Sequence, residues 1–195
     1  QRNTCNLRES QYTRYHITGK SFESGRLEEA SFSKGEINYG RKNYAPRSDS
    51  AVIQTQLVLN SHLNGAGRLF GGQLMEWIDI VATVVARRHA HCNLTTASVD
   101  NLQFKEAATE QYLIIEGKLT YVGRTSMEVR VDTFVESLSG ARKLVNTAYV
   151  VMVALDETAP MEVPGLLIET DEEKAEWEAG VKRNDLRKHR RAENY

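Results

Sequence analysis

A single helical stripe sits in a chain otherwise written for strands, and it limits what the chain can build. From Gly71 or Gly72 onward, Leu74, Ile78, Val81 and Val85 recur at helical spacing, with Met75 and Val84 beside them. Such a segment presses one apolar face into a core. On either side the period changes to two. Ala51 to Leu59 alternates in a mixed strand pattern, and Thr95 to Phe104 forms a second strand-like segment after the helix. Leu113, Ile115, Leu119 and Tyr121 then mark one face of a third strand, and Met127, Val129, Val131, Thr133 and Val135 alternate with Glu128, Arg130 and Asp132 in a fourth. Leu144 to Leu155 is apolar on both faces, which suits a central strand. The turn at Val122 to Ser126 and the loop from Ser137 to Arg142 are of hairpin length, so these strands run mostly antiparallel. One strand, one long apolar helix and four antiparallel strands predict an α+β domain whose sheet wraps around the helix. Gly117 leaves a gap where the helix can approach the sheet.

A chain of 195 residues, 41% of them hydrophobic, supports one domain with a full core and tails. Residues 1–50 are polar, rich in Arg, Ser, Glu, Tyr and Asn and without a sustained period, and read as an N-terminal extension. Its tyrosines Tyr12, Tyr15, Tyr39 and Tyr44 are candidates to anchor it to a surface. Residues 51–164 form the domain, and residues 165–195 a charged helical tail. The tail has a helix start at Thr170-Asp171-Glu172-Glu173 and its basic residues toward the end, the pattern of a solvated helix. The net charge of −1 argues against nucleic acid as a partner. No apolar run reaches the roughly 18 residues of a membrane span, and the polar N-terminus has no signal-peptide core. Cys5 and Cys92 make no disulfide framework. The sequence therefore reads as a soluble, cytoplasmic protein with no membrane partner.

The chemistry is concentrated where the first strand runs into the helix. Gly65, Gly67, Gly71 and Gly72 put four glycines in eight residues, so the backbone there can approach a ligand closely. The first amides of the helix are free and lie at the positive end of its dipole, a site for an anion or for a carbonyl oxygen becoming one. Asp79 stands beside the apolar stripe with Met75, Glu76, Ala82 and Thr83 as its helical neighbours, and so has no local Lys or Arg to pair with. A carboxylate in that position suits a general base. It equally fits a hydrated acid at the stripe's edge. Asp79 lies seven residues beyond Gly72, on the order of 10 Å along the axis at 1.5 Å per residue. One carbonyl cannot touch both. If both act on one substrate, the site needs two copies of the helix, antiparallel across a dimer interface. His89, His91 and Cys92 resemble metal chemistry, but positions i and i+2 diverge on a helix and no second ligand cluster follows. They are expected to serve the helix end, with no metal.

The run Asn64-x-x-Gly67-x-x-Phe70-Gly71-Gly72-x-x-Met75-x-x-Ile78-Asp79 is followed by Ala82, by Arg88-His89, by the strand Thr95 to Phe104 and by the turn Gly123-Arg124-Thr125-Ser126. Together these resemble the hotdog-fold acyl-CoA thioesterases, specifically the bacterial cytosolic acyl-CoA hydrolase branch, over about residues 51 to 190. The resemblance implies the hotdog fold and hydrolysis of acyl-CoA to fatty acid and CoA. It implies Asp79 as general base or nucleophile, Asn64 supplied by the partner subunit, and amides around Gly71 and Gly72 polarising the thioester carbonyl. It also implies a trimer of dimers and no cofactor beyond the CoA of the substrate. For the CoA phosphates, Arg124 with Thr125 and Ser126 is the first candidate, Lys105 the second and Arg68 the third. Where relatives often carry a basic residue and a proline after the Phe matching Phe104, this chain has Lys105-Glu106. The hotdog fold also hosts dehydratases and acyl-CoA-binding regulators. His62, beside the glycine loop, keeps the dehydratase reading in play.

Overall fold

The computed structural model describes residues 43–104, 112–157 and 159–194. Strand β1 (Tyr44–Pro46) and the short helix α1 (Arg47–Ser50) lead into β2 (Val52–Leu57), and a 3-10 turn, Asn60–His62, opens the glycine loop. The long helix α2 (Gly71–Ala90) follows, then β3 (Asn93–Phe104), β4 (Tyr112–Val122), β5 (Ser126–Glu136) and β6 (Arg142–Asp156). The chain closes with β7 (Ala159–Pro160), β8 (Gly165–Leu167) and α3 (Asp171–Ala192). The main sheet has the order β2-β4-β5-β6-β3 with β7 on β6, every pairing antiparallel, while β1 and β8 pair in parallel beside it. No helix among the described residues is long and apolar enough to cross a membrane.

Helix α2 forms where the stripe predicts. Leu74, Ile78, Val81, Ala82, Val85 and Ala86 are buried against Leu113, Ile115, Leu119, Val129, Val131, Val150 and Met152 on the inner face of the sheet. Gly117 is the contact point. A Cβ there would lie 2.6 Å from Val81 Cγ1 and 2.9 Å from Val85 Cγ2, so any side chain would push the helix off the sheet. The helix ends on His91, which takes the left-handed conformation at φ 52 and donates its N–H to the carbonyl of Arg87. His89 turns inward, with Nε2 donating to the Pro164 carbonyl at 3.0 Å. His91 thus serves the helix terminus, while His89 ties the last turn of α2 to the segment before β8.

Strand β3 is the far edge of the sheet and carries an irregularity that matters below. Thr96 faces Met152 and Ser98 faces Val151, so Ala97 is an extra residue without a partner. Because side chains alternate, this bulge leaves Thr96 and Val99 on the inner side and Ser98 and Asp100 on the outer.

The C-terminal segment departs from expectation. Thr170 caps α3, its hydroxyl accepting from Glu173 N at 3.2 Å, as its sequence predicts. The helix is not simply solvated, however; it lies on the outer face of the sheet. Trp177 packs on Tyr121 with ring centroids 4.9 Å apart, and Gly180 lets the helix come so close that a Cβ would meet Tyr121 Cβ at 2.6 Å. Its cations reach Glu128, a fully buried carboxylate on β5 that accepts from Arg183 Nη2 at 2.7 Å, Arg187 Nη1 at 2.6 Å and Thr120 Oγ1 at 2.7 Å. Burial of that acid requires such partners. Of the polar N-terminal segment, residues 1–42 lie outside the described residues. Arg47 is buried and bonds Glu176 of α3 at 2.6 Å.

Candidate active site

The glycine loop is a small closed structure. Leu63 bridges Leu69, Asn64 N donates to Arg68 O at 2.7 Å, Gly67 N donates back to Asn64 O at 2.9 Å, and Phe70 N donates to His62 O at 2.8 Å. Asn64 organises its interior, since Oδ1 accepts from Ala66 N at 2.9 Å and from Arg68 N at 3.2 Å. That is the turn-forming role open to any asparagine. It engages only the oxygen. Nδ2 of Asn64 donates to no residue among those described, which leaves an N–H donor fixed in place on an exposed loop. Gly67, at φ +68, needs the freedom of glycine to close the turn.

Helix α2 starts directly from this loop, with Phe70 at its cap position and no side chain capping the first turn. Gln73 N and Leu74 N bond back to Phe70 O, while the amides of Gly71 and Gly72 precede the helical ladder. The Phe70 ring lies over Gly72, where a Cβ would meet Cε1 at 2.6 Å. A side chain at residue 72 would therefore block the very end of the helix that carries the free donors.

Asp79 sits on the same face of α2 as Gly72, just under two turns on, and is half-buried. Thr96 Oγ1 donates to its Oδ1 at 2.6 Å, a short charge-assisted bond that leaves Oδ2 unengaged among the described residues. The same hydroxyl lies 3.6 Å from Met152 Sδ. Sequence reasoning missed Thr96. A threonine facing inward from the strand after the helix was the available signal, but the bulge at Ala97 obscures which residues of β3 face inward. No hydrogen bond joins Asp79 to the glycine loop of its own chain among the described residues.

The register of the sheet brings the second candidate group to the same end. Met127, Met152 and Thr96 form one row across β5, β6 and β3, and Ser126, Val153 and Thr95 the next. The turn Gly123-Arg124-Thr125-Ser126 is therefore two strands from Thr96, about 10 Å at the usual strand spacing. The turn is stapled by backbone bonds: Gly123 N to Ser126 O, Ala154 N to Thr125 O, and Val163 N to Arg124 O. Arg124 projects from this fixed base and is exposed. Arg68 is exposed in the glycine loop, and Lys105 lies outside the described residues. His62 Nδ1 accepts from Leu59 N at 3.1 Å, and its ring meets Trp77 edge-on.

Near Asp79 several apolar side chains are exposed among the polar ones of α2. Met75 at 46%, Ile80 at 45% and Val84 at 36% exposure flank it on the outward side of α2, and Val99 at 42% lies on β3. The outer edge of β3 has no strand partner among the described residues. Exposed apolar side chains beside an open strand edge are features of surfaces through which chains associate.

Known proteins share this organisation. The profile of the Thioesterase superfamily matches residues 66–139. The Bacillus subtilis protein YkhA, an uncharacterized acyl-CoA thioester hydrolase, is 37% identical over 146 residues, which is 73% of this chain and 85% of that one. The chain spans only 24% to 45% of the length of the mouse thioesterases that it matches. Among solved structures, an apo-hexameric acyl-CoA thioesterase superposes with a TM-score of 0.74 at 39% identity, covering 77% of this chain and 99% of the other. The Staphylococcus aureus acyl-CoA hydrolase, solved with butyryl-CoA, CoA and CoA disulfide, gives 0.73 at 32% identity over 77% of this chain and 94% of its own. That hydrolase has also been solved with an asparagine, an aspartate and a threonine each replaced by alanine, and the spacing of those three positions equals that of Asn64, Asp79 and Thr96.

Proposed function

The chain belongs to the thioesterase superfamily and is a hotdog acyl-CoA thioester hydrolase, and on that premise we propose that it works through a site shared by two copies of itself. Asp79 and Thr96 of one copy face the glycine loop and first α2 amides of the other. The observation that carries this is the Thr96–Asp79 bond of 2.6 Å, on the same helix face as an uncapped N-terminus that it cannot reach within one chain. The apolar residues around Asp79 and the open edge of β3 supply the surface for the second copy. A dimer is then the smallest active unit, and a trimer of dimers agrees with the hexameric neighbour.

In the shared site the thioester oxygen accepts from the amides of Gly71 and Gly72 and from Nδ2 of Asn64, so the negative charge of the tetrahedral intermediate develops against fixed donors. Thr96 occupies Oδ1 of Asp79 and leaves Oδ2 to act. As a general base, Oδ2 takes a proton from water, the water oxygen bonds the carbonyl carbon, the C–S bond breaks, and the proton passes to the CoA thiolate. As a nucleophile, Oδ2 bonds the carbon itself and the C–S bond breaks to release CoA thiolate; water then splits the mixed anhydride into fatty acid and the Asp79 carboxylate, giving up the proton that the thiolate takes. In a single turnover in ¹⁸O-water, label in the Asp79 carboxylate identifies the second route with water attacking the Asp79 carbonyl of the anhydride, whereas the first route places label in the fatty acid alone. His62 makes no hydrogen bond to Asp79 among the described residues, Nδ1 instead accepting from Leu59 N, which favours hydrolysis over the paired acid–base chemistry of a dehydratase.

Arg124 binds the CoA phosphates from its stapled turn, with the Thr125 and Ser126 hydroxyls beside it. The direct test is free-thiol release across a panel of acyl-CoAs of different chain length. Arg124→Ala should raise KM by about tenfold and leave kcat within about twofold, since binding is lost equally from ground and transition states. An equal effect on a short acyl thioester lacking the nucleotide would remove Arg124 from the CoA site. Absence of thiol release from every acyl-CoA would favour an acyl-CoA-binding regulator.

A further inference from the structure

Strand β3 carries Thr96 and is also the sheet's edge, so among the described residues its register is set from one side only, by β6, and is interrupted by a bulge. Four residues beyond Thr96, Asp100 faces outward, where its Oδ2 accepts from Arg187 Nη1 at 3.0 Å and Arg190 Nη2 lies 3.7 Å from Oδ1. Arg187 is only 7% exposed, and the same Nη1 bonds Glu128 at 2.6 Å on β5. The guanidinium therefore ties edge strand β3 to interior strand β5, across β6. It touches neither Thr96 nor Asp79. The tie falls between two irregularities of β3, the extra residue at Ala97 and the break between Asp100 and Gln103 where Asn101 adopts φ 53. Side chains alternate strictly along a strand, so a slip of one residue would turn Thr96 from the inner face to the outer. The Asp79 bond would then be lost although no residue of the site had changed.

We propose that Arg187 and Asp100 are positioning residues for the hydrolysis, holding β3 in the register that aims Thr96 at Asp79. The inference rests on the reading of Thr96 and Asp79 given above and extends it to a helix on the opposite face of the sheet. The helix contains its own control. Glu176, in the other half of α3, bonds Arg47, Lys118 and Arg130 and has no contact with β3 among the described residues.

The test is steady-state hydrolysis of an acyl-CoA by the full-length chain, with the melting temperature followed in parallel. Asp100→Ala cuts the tie to β3 and leaves the bonds of Arg183 and Arg187 to Glu128, so α3 stays docked. It should lower kcat on the order of tenfold, the scale of a small misplacement of a catalytic group, with KM within about twofold. Asp100→Glu should restore most of the rate. Glu176→Gln should lower the melting temperature with kcat within about twofold of wild type. In a Thr96→Val background, Asp100→Ala should slow the enzyme no further, because there is no hydroxyl left to aim. Should Asp100→Ala not fold, Asp100→Leu keeps the volume, removes both acceptor oxygens, and is read the same way. A kcat for the Asp100 variant within about twofold of wild type overturns the proposal, as does an undiminished further loss in the Thr96→Val background. If Thr96→Val alone leaves kcat unchanged, the site reading itself fails and this inference falls with it. If Thr96→Val is slow and Asp100→Ala is not, only the inference fails.

Discussion

Helix α2 meets the inner face of the sheet with Leu74, Ile78, Val81, Ala82, Val85 and Ala86, whereas α3 meets the outer face chiefly with charges. The acidic half of α3 puts Glu173 and Glu176 against Arg47, Lys118 and Arg130; its basic half puts Arg183, Arg187 and Arg190 against Glu128 and Asp100. Apolar packing is indifferent to helix direction. The two-signed arrangement is not: a reversed α3 would set acid against acid and base against base. The difference teaches where each helix is vulnerable. α2 fails by loss of shape, as the 2.6 Å approach of Val81 to a Cβ at Gly117 indicates. α3 fails by loss of charge, through salt, acid or a single missing partner.

The comparison breaks most sharply at Asp79, the acid that stands beside the apolar stripe of α2. Asp79→Asn keeps the shape of the helix and removes the base, so kcat should fall by about 10²- to 10⁴-fold. The melting temperature should move little, because the amide still accepts from Thr96. Thiol release within about threefold of wild type from a folded variant would show that the carboxylate has no chemical role.

On α3 the largest effect is expected from Glu128→Ala, which removes the buried carboxylate shared by Arg183 and Arg187 and leaves Arg187 only its bond to Asp100. Breaking a buried pair in this way destabilises by about 3–5 kcal/mol. The loss should be local at first: amide hydrogen exchange should accelerate throughout α3 while the core of α2 stays protected. Equal acceleration in both helices would mean that the two fold as one unit, and the contrast drawn between them would not hold.

Acid gives a smaller effect of known sign. Burial pushes the Glu176 carboxyl up, but Lys118, Arg47 and Arg130 together pull it below its ordinary value of 4.5. A lowered folded value means that its contribution is complete above pH 4.5 and disappears as pH falls through the lowered value. Protection in the first half of α3 should therefore weaken below about pH 4.5, and Glu176→Gln should flatten that dependence. An unchanged acid profile in the variant would assign the loss to other carboxylates.

Much of the fold was legible because period alone separates the α2 stripe from the strands, and because Gly117 marks the close approach. Asp79 and the glycine loop were legible for the same reason: each is an interruption of a regular pattern. Thr96 was not. Its inward direction depends on the bulge at Ala97, and the bulge is visible only once β6 supplies a register. Glu128 was misleading, since it occupies a polar place in the alternation of β5 and yet is fully buried. Its cations lie 55 and 59 positions away, on a helix whose composition reads as solvated. Charge pairing at such separation leaves no local signal, whereas apolar periodicity does.

The claim on which the account turns is that Asn64 and Asp79 act together only across two copies of the chain. It is tested by mixing Asn64→Ala protein with Asp79→Asn protein, each nearly inactive, and allowing subunits to exchange. Each hybrid dimer then has one site with both wild-type residues, so activity should recover to about a quarter of wild type when exchange is random and the sites are independent. Exchange confirmed by mass, with both proteins folded and no recovery of activity, would place Asn64 and Asp79 in the same subunit's site and contradict the shared-site mechanism.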